Sequence, residues 1–406
     1  MIYNVGISFY ASAVKLAALK NSKAQKMTEG HKQVFDYLRE NRKPEDRYLW
    51  FHAASLGEFE QGRPMIEEIR KSHPEYKILL TFFSPSGYEV RKNYEGADLI
   101  CYLPFDEPSR VKRFLDLVRP EKAFFIKYEF WANYLLGLKS RGIPVYLISA
   151  IFRPDQIFFK GYGQFFRNLL PLYEHIFVQD ESSYALLRNI GVKKVSVSGD
   201  TRFDRVREIM KGAKELPLVE KFVKDTPLTL VAGSSWPKDE DILIDYFNNR
   251  PDMKLIIAPH EIHESHIRDI IRKLNMPYVR YTELTDEVPA DARCLIIDCI
   301  GMLSSVYRYG KLAYIGGGFG VGIHNVLEAA VYDIPVVFGP NYQKFREAKE
   351  LIAAKGAFSI ANAAEFKALM AQFEQEQAFL KSAGDTAGYY VAHNSGATSH
   401  ILEAVF

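Results

Sequence analysis

Short apolar runs alternate with segments of helical length twice along this chain, and that alternation limits the fold more than any other feature. The first series of runs is Tyr48-Ala53, Lys77-Phe83, Leu99-Leu103, Lys122-Ile126, Val145-Ser149, Ile176-Val178 and Val195-Val197. Helical patterns such as Phe59-Ser72 and Pro108-Val118 lie between them. Parallel strands with crossover helices satisfy this order, giving a doubly wound α/β sheet. The pattern breaks at Arg205 to Pro227, which is charged and punctuated by Pro217 and Pro227. It then resumes with Leu228-Ala232, Lys254-Ala258, Tyr278-Arg280, Cys294-Asp298, Leu312-Ile315 and Pro335-Phe338. A chain of 406 residues accommodates two such domains. The expected division is an N-terminal helix at 1–25, one Rossmann-like domain at 26–210 and a second at 211–406, whose last helix packs back on the first. Ligands of such sheets sit outside the carboxyl ends of the strands, so the expected site is a cleft between the domains.

Charge and cysteine content remove some function classes. A net charge of +2 is too small for a general nucleic-acid binder. Three cysteines, Cys101, Cys294 and Cys299, lie in or beside apolar runs and read as thiols of a reducing compartment. At the N-terminus, Ile2 to Leu19 is mostly apolar or small and is followed by Lys20, Lys23 and Lys26. A secretory signal has the reverse charge order. The run is marginal for a membrane span and predicts an interfacial anchor helix, with a buried first helix as the alternative.

Five segments carry chemistry. In His52-Ala53-Ala54-Ser55-Leu56-Gly57-Glu58, a strand ends, a small-residue turn follows, and Glu58 falls at the start of a helix. A carboxylate there can act as a general base toward a sugar hydroxyl, or simply favour the helix N-terminus. Ile126-Lys127-Tyr128-Glu129-Phe130-Trp131 repeats the arrangement, with Glu129 flanked by aromatics. The third segment runs from Tyr314 through Gly316, Gly317, Gly318, Gly320 and Gly322 to His324, Asn325 and Glu328. A strand entering a glycine-rich loop and then a helix near His324 suits a phosphate, with Glu328 placed to accept ribose hydroxyls. It is neither a dinucleotide fingerprint nor a Walker loop. In Pro259-His260-Glu261-Ile262-His263-Glu264-Ser265-His266 the histidine spacing does not place two metal ligands on one helical face, and His260 at a strand end reads as a substrate contact. Finally, residues 152–167 hold six aromatics and suit either a lipid surface or an amphipathic core helix.

Taken in order, these segments resemble one family, the 3-deoxy-D-manno-octulosonic acid (Kdo) transferases of lipopolysaccharide assembly. Ser55-Leu56-Gly57-Glu58 is similar to the family's Ser-Val-Gly-Glu, and Ser84-Pro85-Ser86-Gly87 to its Thr-Pro-Thr-Gly. Tyr102-Leu103-Pro104-Phe105-Asp106 resembles Tyr-Leu-Pro-Tyr-Asp, and Lys127-Tyr128-Glu129-Phe130-Trp131 resembles Glu-Thr-Glu-Leu-Trp. Gly199-Asp200-Thr201-Arg202-Phe203-Asp204 and Gly322-Ile323-His324-Asn325-Val326-Leu327-Glu328 complete the set. Lys127 replaces a glutamate of the family pattern, Pro259-His260-Glu261 lacks its arginine, and Gly301-Met302-Leu303 lacks its acid.

The resemblance implies a GT-B fold and an inverting, metal-independent transfer of Kdo from CMP-Kdo to a lipid A precursor, with no cofactor. It implies catalytic roles for Glu58 and Glu129, Glu58 being the base. Donor contacts would come from Ser234, His260, Gly317, Gly318, Gly320, Gly322, His324, Asn325 and Glu328. Acceptor contacts would come from Ser55, Gly57, Lys127 and Arg153. The expected partners are CMP-Kdo, the lipid A precursor and the inner-membrane lipid surface, and the expected place is the cytoplasmic face of the bacterial inner membrane. The alternative is another GT-B enzyme acting on a UDP-sugar.

Overall fold

The computed structural model describes residues 2–406; Met1, the first residue of the expected anchor, lies outside them. The chain forms two compact units, one of residues 1–205 with 395–406 and one of residues 206–394.

The first unit is built on seven strands: β1 Arg47–Ala53, β2 Tyr76–Phe82, β3 Leu99–Tyr102, β4 Lys122–Ile126, β5 Val145–Ala150, β6 His175–Val178 and β7 Val195–Val197. Their order is β3-β2-β1-β4-β5-β6-β7 and every pairing is parallel. Side chains alternate between the two faces of a strand, and both faces here are covered by helices. Tyr48 and Trp50 of β1 therefore enter one core with Leu79, Phe125 and Leu147. Leu49, Phe51 and Ala53 enter the other with Leu80, Phe124 and Ile148. Each fully buried aromatic or aliphatic side chain contributes about 1.5–3 kcal/mol to that burial.

The second unit repeats the plan with β8 Leu228–Ser235, β9 Met253–Pro259, β10 Tyr278–Arg280, β11 Cys294–Ile296, β12 Leu312–Ile315, β13 Val336–Phe338 and β14 Ala357–Ser359. The order is β10-β11-β9-β8-β12-β13-β14, again all parallel. In both sheets the first strand is central, and the chain builds first to one side of it and then to the other. The reversal falls between β1 and β4 in one sheet and between β8 and β12 in the other. Such switch points open a crevice at the carboxyl ends of the strands.

Three helices matter below: α1 Ile2–Ala17, α2 Ser22–Asn41 and α3 Leu56–Ser72. α1 and α2 meet at a sharp bend of 119°, and no single helix among the described residues is long and apolar enough to cross a membrane. α1 docks on the first unit through few side chains. Ala11 packs with Met27 and Phe105, and the Tyr3 hydroxyl donates to Asp106 Oδ2 at 2.6 Å. Asp106 is buried and also accepts from the backbone of Asn133 and Tyr134. Burial pushes its carboxyl up to about 6. The rest of α1 leaves Ile2, Val5, Phe9 and Leu16 exposed, with Leu19 just beyond it; Phe9 is 77 % accessible. The closing helix Ala397–Val405 behaves oppositely, burying Ile401 and Val405 in the first unit's core. Asp204 holds its start by accepting from the backbone of Gly396 and Thr398 and from the Thr398 hydroxyl.

Residues 152–167 do not form one amphipathic helix, and Tyr162 and Phe165 are exposed. They fold as two 3₁₀ turns and one short helical turn, Gln164–Arg167, with Phe152 and Phe158 buried. Arg167 donates to the carbonyls of Phe158 and Lys160, which closes the segment on itself.

Candidate active site: two carboxylates and a ring stack at the switch points

Glu58 follows β1, and α3 starts at Leu56, three residues earlier than the sequence pattern predicts. Glu58 therefore occupies the first turn of the helix. Ser55-Leu56-Gly57-Glu58 has the spacing of a capping box, in which serine would accept from the helix backbone. No such cap bond forms; the Ser55 hydroxyl donates to Glu58 Oε2 instead. The carboxylate is thus positioned by Ser55 and half-exposed, while Gly57 at the turn is open to solvent. Gly62 lets α3 lie close against β4, since a Cβ there would collide with the Ile126 side chain.

Glu129, after β4, sits differently. It is 5 % exposed, and its Oε2 accepts from His52 Nε2 at 2.9 Å and from Trp131 Nε1 at 2.5 Å. The Tyr173 hydroxyl donates to its backbone carbonyl. On the other side of His52, Nδ1 lies 2.9 Å from Thr81 Oγ1, which receives Trp50 Nε1 at 2.8 Å. A chain of polar contacts thus crosses the apolar sheet from Trp50 to Trp131. Every bond on it is expensive to leave unmade.

Tyr128 precedes Glu129 in the chain and feels the charge of Glu58. Burial pushes its phenol up, Arg153 pulls it down, and Glu58 and Asp180 push it up, so these groups share one electrostatic neighbourhood. Arg153 is exposed. The Lys127 ammonium lies 5.3 Å from the centre of the Tyr128 ring. Lys127 holds φ at +72°, a conformation that costs free energy for a side-chain-bearing residue and clusters at functional sites.

In the second unit the corresponding crevice is lined by aromatic rings. Trp236, after β8, stacks on His260, after β9, with centroids 4.7 Å apart. His260 in turn stacks on His324 at 4.5 Å. The Trp236 indole donates to His324 Nε2 at 3.2 Å. Burial, then the neighbouring His260, pushes the His324 imidazole down. Ser234 beside them is left-handed, with φ +52°.

The glycine loop after β12 corrects two expectations. Its helix begins at Leu327, not near His324, and runs only to Ala330. One turn carries little macrodipole. The loop also spends several of its N–H groups on itself. Gly320 and Gly322 donate to the Gly317 carbonyl and His324 to that of Gly316, while Gly317 donates to Asp239 Oδ2 at 2.9 Å. Gly317 sits at φ +92°, and a Cβ there would strike the Gly322 carbonyl. The loop is a folded platform that leaves Gly320 exposed and Gly318 buried. Asn325 donates to Glu328 Oε1 at 3.0 Å, so those two residues come together as their spacing predicts.

Two acids of this unit carry weight that the sequence reading did not give them. Asp239 is buried and accepts from Tyr314, Gly317 and Trp236, so it fixes both the loop and the ring stack; burial pushes its carboxyl up. Glu240 is buried between Ser235 and His266, at 3.0 and 2.9 Å. The signal available was Trp236-Pro237-Lys238-Asp239, with proline at the first helical position and an acid in the first turn. Among the described residues no group of three or more His, Cys, Asp or Glu side chains is arranged to hold a metal ion.

Comparison with known proteins bears on both halves of the chain. Residues 28–205 match the family of 3-deoxy-D-manno-octulosonic-acid transferases (kdotransferases). The 3-deoxy-D-manno-octulosonic acid transferase of Aquifex aeolicus is 29% identical over 325 residues, covering 78% of this chain and 83% of that one. The Haemophilus influenzae transferase is 26% identical over 381 residues, covering 89% and 87%. Among solved structures, the UDP-GlcNAc 2-epimerase of Neisseria meningitidis superposes with a TM-score of 0.61 at 14% identity, over 88% of this chain and 99% of that one. That likeness extends the two-sheet fold to a GT-B architecture. The two switch points, the ordered motifs and relatives aligned along most of both chains agree, and the chain is similar to the 3-deoxy-D-manno-octulosonic acid transferases across both of its halves.

Proposed function

We propose that this glycosyltransferase moves Kdo from CMP-Kdo to a lipid A precursor, lipid IVA, at the cytoplasmic face of the bacterial inner membrane. The similarity to these transferases supports the donor sugar and the reaction class. The observation that carries the assignment of roles is the contrast between Glu58, held only by Ser55 and half-exposed, and Glu129, buried with two donors on one oxygen. A base must reach its substrate's proton, so Glu58 is the base of the proposal and Glu129 the residue that positions His52 and Trp131.

In this reading an acceptor hydroxyl oxygen attacks the anomeric carbon of Kdo. Its proton passes to Glu58, and the bond from that carbon to the phosphate oxygen breaks with its electron pair leaving on CMP. A single displacement inverts the configuration. Ser55, Gly57, Lys127 and Arg153 are assigned to the acceptor. Ser234, His260, His324, Asn325, Glu328 and the glycine loop are assigned to CMP-Kdo, and the reaction calls for no metal. The exposed apolar stripe of α1 supports an interfacial anchor on the inner membrane.

The test is incubation with CMP-Kdo and tetraacyl lipid A precursor in EDTA, with products read by mass. The expected product gains one or more Kdo units. No gain there, together with turnover of a UDP-sugar, overturns the reading in favour of another GT-B activity.

A further inference from the structure

A cavity of about 470 Å³ in the first unit has neither Glu58 nor Glu129 in its lining. Its walls come from α1, α2, the loop before helix Pro108–Val118, and that helix. Four cations border it: Lys15 from α1, Lys32 from α2, and Arg110 and Arg113. The facing residues of α2 are Thr28, His31, Lys32 and Phe35, a spacing that puts all four on one side of the helix. Only Arg110 has a carboxylate partner, Glu107 at 2.5 Å; among the described residues Lys15, Lys32 and Arg113 make no such ion pair. Arg113 is already braced, its guanidinium 4.1 Å from the centre of the Phe35 ring.

At the base of this cavity lies a second, independent anomaly. His31 is 5 % exposed, and among the described residues neither of its ring nitrogens has a hydrogen-bond partner. Burial, and then Arg110, pushes the imidazole down to about 3, so the ring is neutral at physiological pH. A neutral imidazole still offers one N–H donor. A buried donor without a partner is costly, and a ligand that accepts from it relieves the cost.

We propose that this cavity binds a phosphate group, with Lys15, Lys32 and Arg113 around its oxygens and His31 donating from below. Phosphate oxygens match the planar fork of arginine and tolerate the point charge of lysine. Phe35 and Phe105 give the floor an apolar surface suited to the carbon part of a phosphoester. The phosphate can come from a membrane lipid headgroup, which the neighbouring apolar stripe of α1 favours, or from a soluble phosphoester. Only the lipid source rests on the membrane reading given above.

The experiment uses the full chain labelled with ¹⁵N-histidine, titrated with inorganic phosphate and then sn-glycerol 3-phosphate at constant ionic strength. The His31 ring signals are expected to shift saturably in the millimolar range or below. The Lys32→Gln/Arg113→Gln double variant, with an unchanged melting temperature, should weaken that binding at least tenfold, and Lys23→Gln should not. No shift up to about 20 mM phosphate, or an undiminished shift in the double variant, overturns the proposal. Should the double variant unfold, Lys15→Gln and Lys32→Gln are read singly by the same criterion. Flotation with phosphatidylglycerol/phosphatidylcholine vesicles then separates the sources. Weaker flotation of the double variant assigns the pocket to a headgroup, and unchanged flotation assigns it to a soluble phosphoester. A parent chain that binds phosphate but never floats defeats the membrane reading and leaves the pocket standing.

Discussion

The two switch points use the same topology to make different surfaces. Between β1 and β4 the polar groups are mostly buried: His52, Thr81 and Glu129 are each 5 % exposed or less and joined in one chain of contacts. Glu58 and Ser55 are left half-open, with Lys127 and Tyr128 beside them. Between β8 and β12 the buried acid Asp239 lies beneath, while the rings of Trp236, His260 and His324 and the edge of the glycine loop meet solvent. The first crevice presents one half-exposed carboxylate beside buried, hydrogen-bonded polar groups. The second presents a stacked platform and a backbone loop, which suit a flat base and its sugar phosphate.

The sharpest way to break this contrast is at Glu58. Glu58→Gln keeps the shape but cannot accept a proton, so turnover should fall by about 10²–10⁴. CMP affinity should stay near the parent's and stability within about 1 kcal/mol. Near-parental turnover at saturating donor and acceptor would move the base to another residue. Glu129→Ala should act through folding instead, because it strands His52 Nε2 and Trp131 Nε1. Removing one partner of a buried pair costs about 3–5 kcal/mol, read by urea unfolding. A stable but inactive Glu129→Ala chain would contradict the positioning role.

On the second unit the expected effects are smaller. Glu328→Ala should weaken CMP binding roughly ten- to hundredfold in calorimetry, from the loss of about 1.5–3 kcal/mol of charged hydrogen bonding. Equal affinity in both chains would take Glu328 off the nucleotide. The smallest effect concerns Asp106, whose carboxyl is raised to about 6 by burial. A raised acid favours the folded state below its unfolded pKa, and that advantage is lost as pH climbs through the folded value. Between pH 4 and 6 stability should therefore decline more steeply in the parent than in Asp106→Asn. Parallel curves would show that Asp106 does not feel its burial.

Much of the fold was legible because parallel strands buried on both faces leave unbroken apolar runs. Leu49 to Phe51 and Leu255 to Ile257 are examples. β14 was missed, since Ala357, Phe358 and Ser359 include only one large apolar side chain and no β-branched residue. Glu58, Glu129 and the glycine loop were legible because each follows a strand end. His52 stood inside a noted segment, but its link to Glu129 joins residues 77 apart in the chain, and spacing along the chain is silent about that. The helix after the loop was overextended for a similar reason: Gly316 and Gly317 capture the N–H groups of His324 and Gly322, which holds the chain in a loop as far as Val326. The turns of residues 152–167 were not legible, because composition reports how many aromatics there are, not which way they turn.

The return of residues 395–406 to the first unit has a consequence for biosynthesis. The second unit is one unbroken stretch, whereas the first lacks its closing helix until residues 397–405 have been made. From Arg205 to Ala397 roughly 190 residues must be made, which takes about 10–40 s at ~5–20 residues per second. Through that interval the core face awaiting Ile401 and Val405 stays uncovered on the nascent chain. Although its strands are made before those of the second unit, the first unit is therefore completed after it, and a ribosome-bound chaperone would find its exposed surface there.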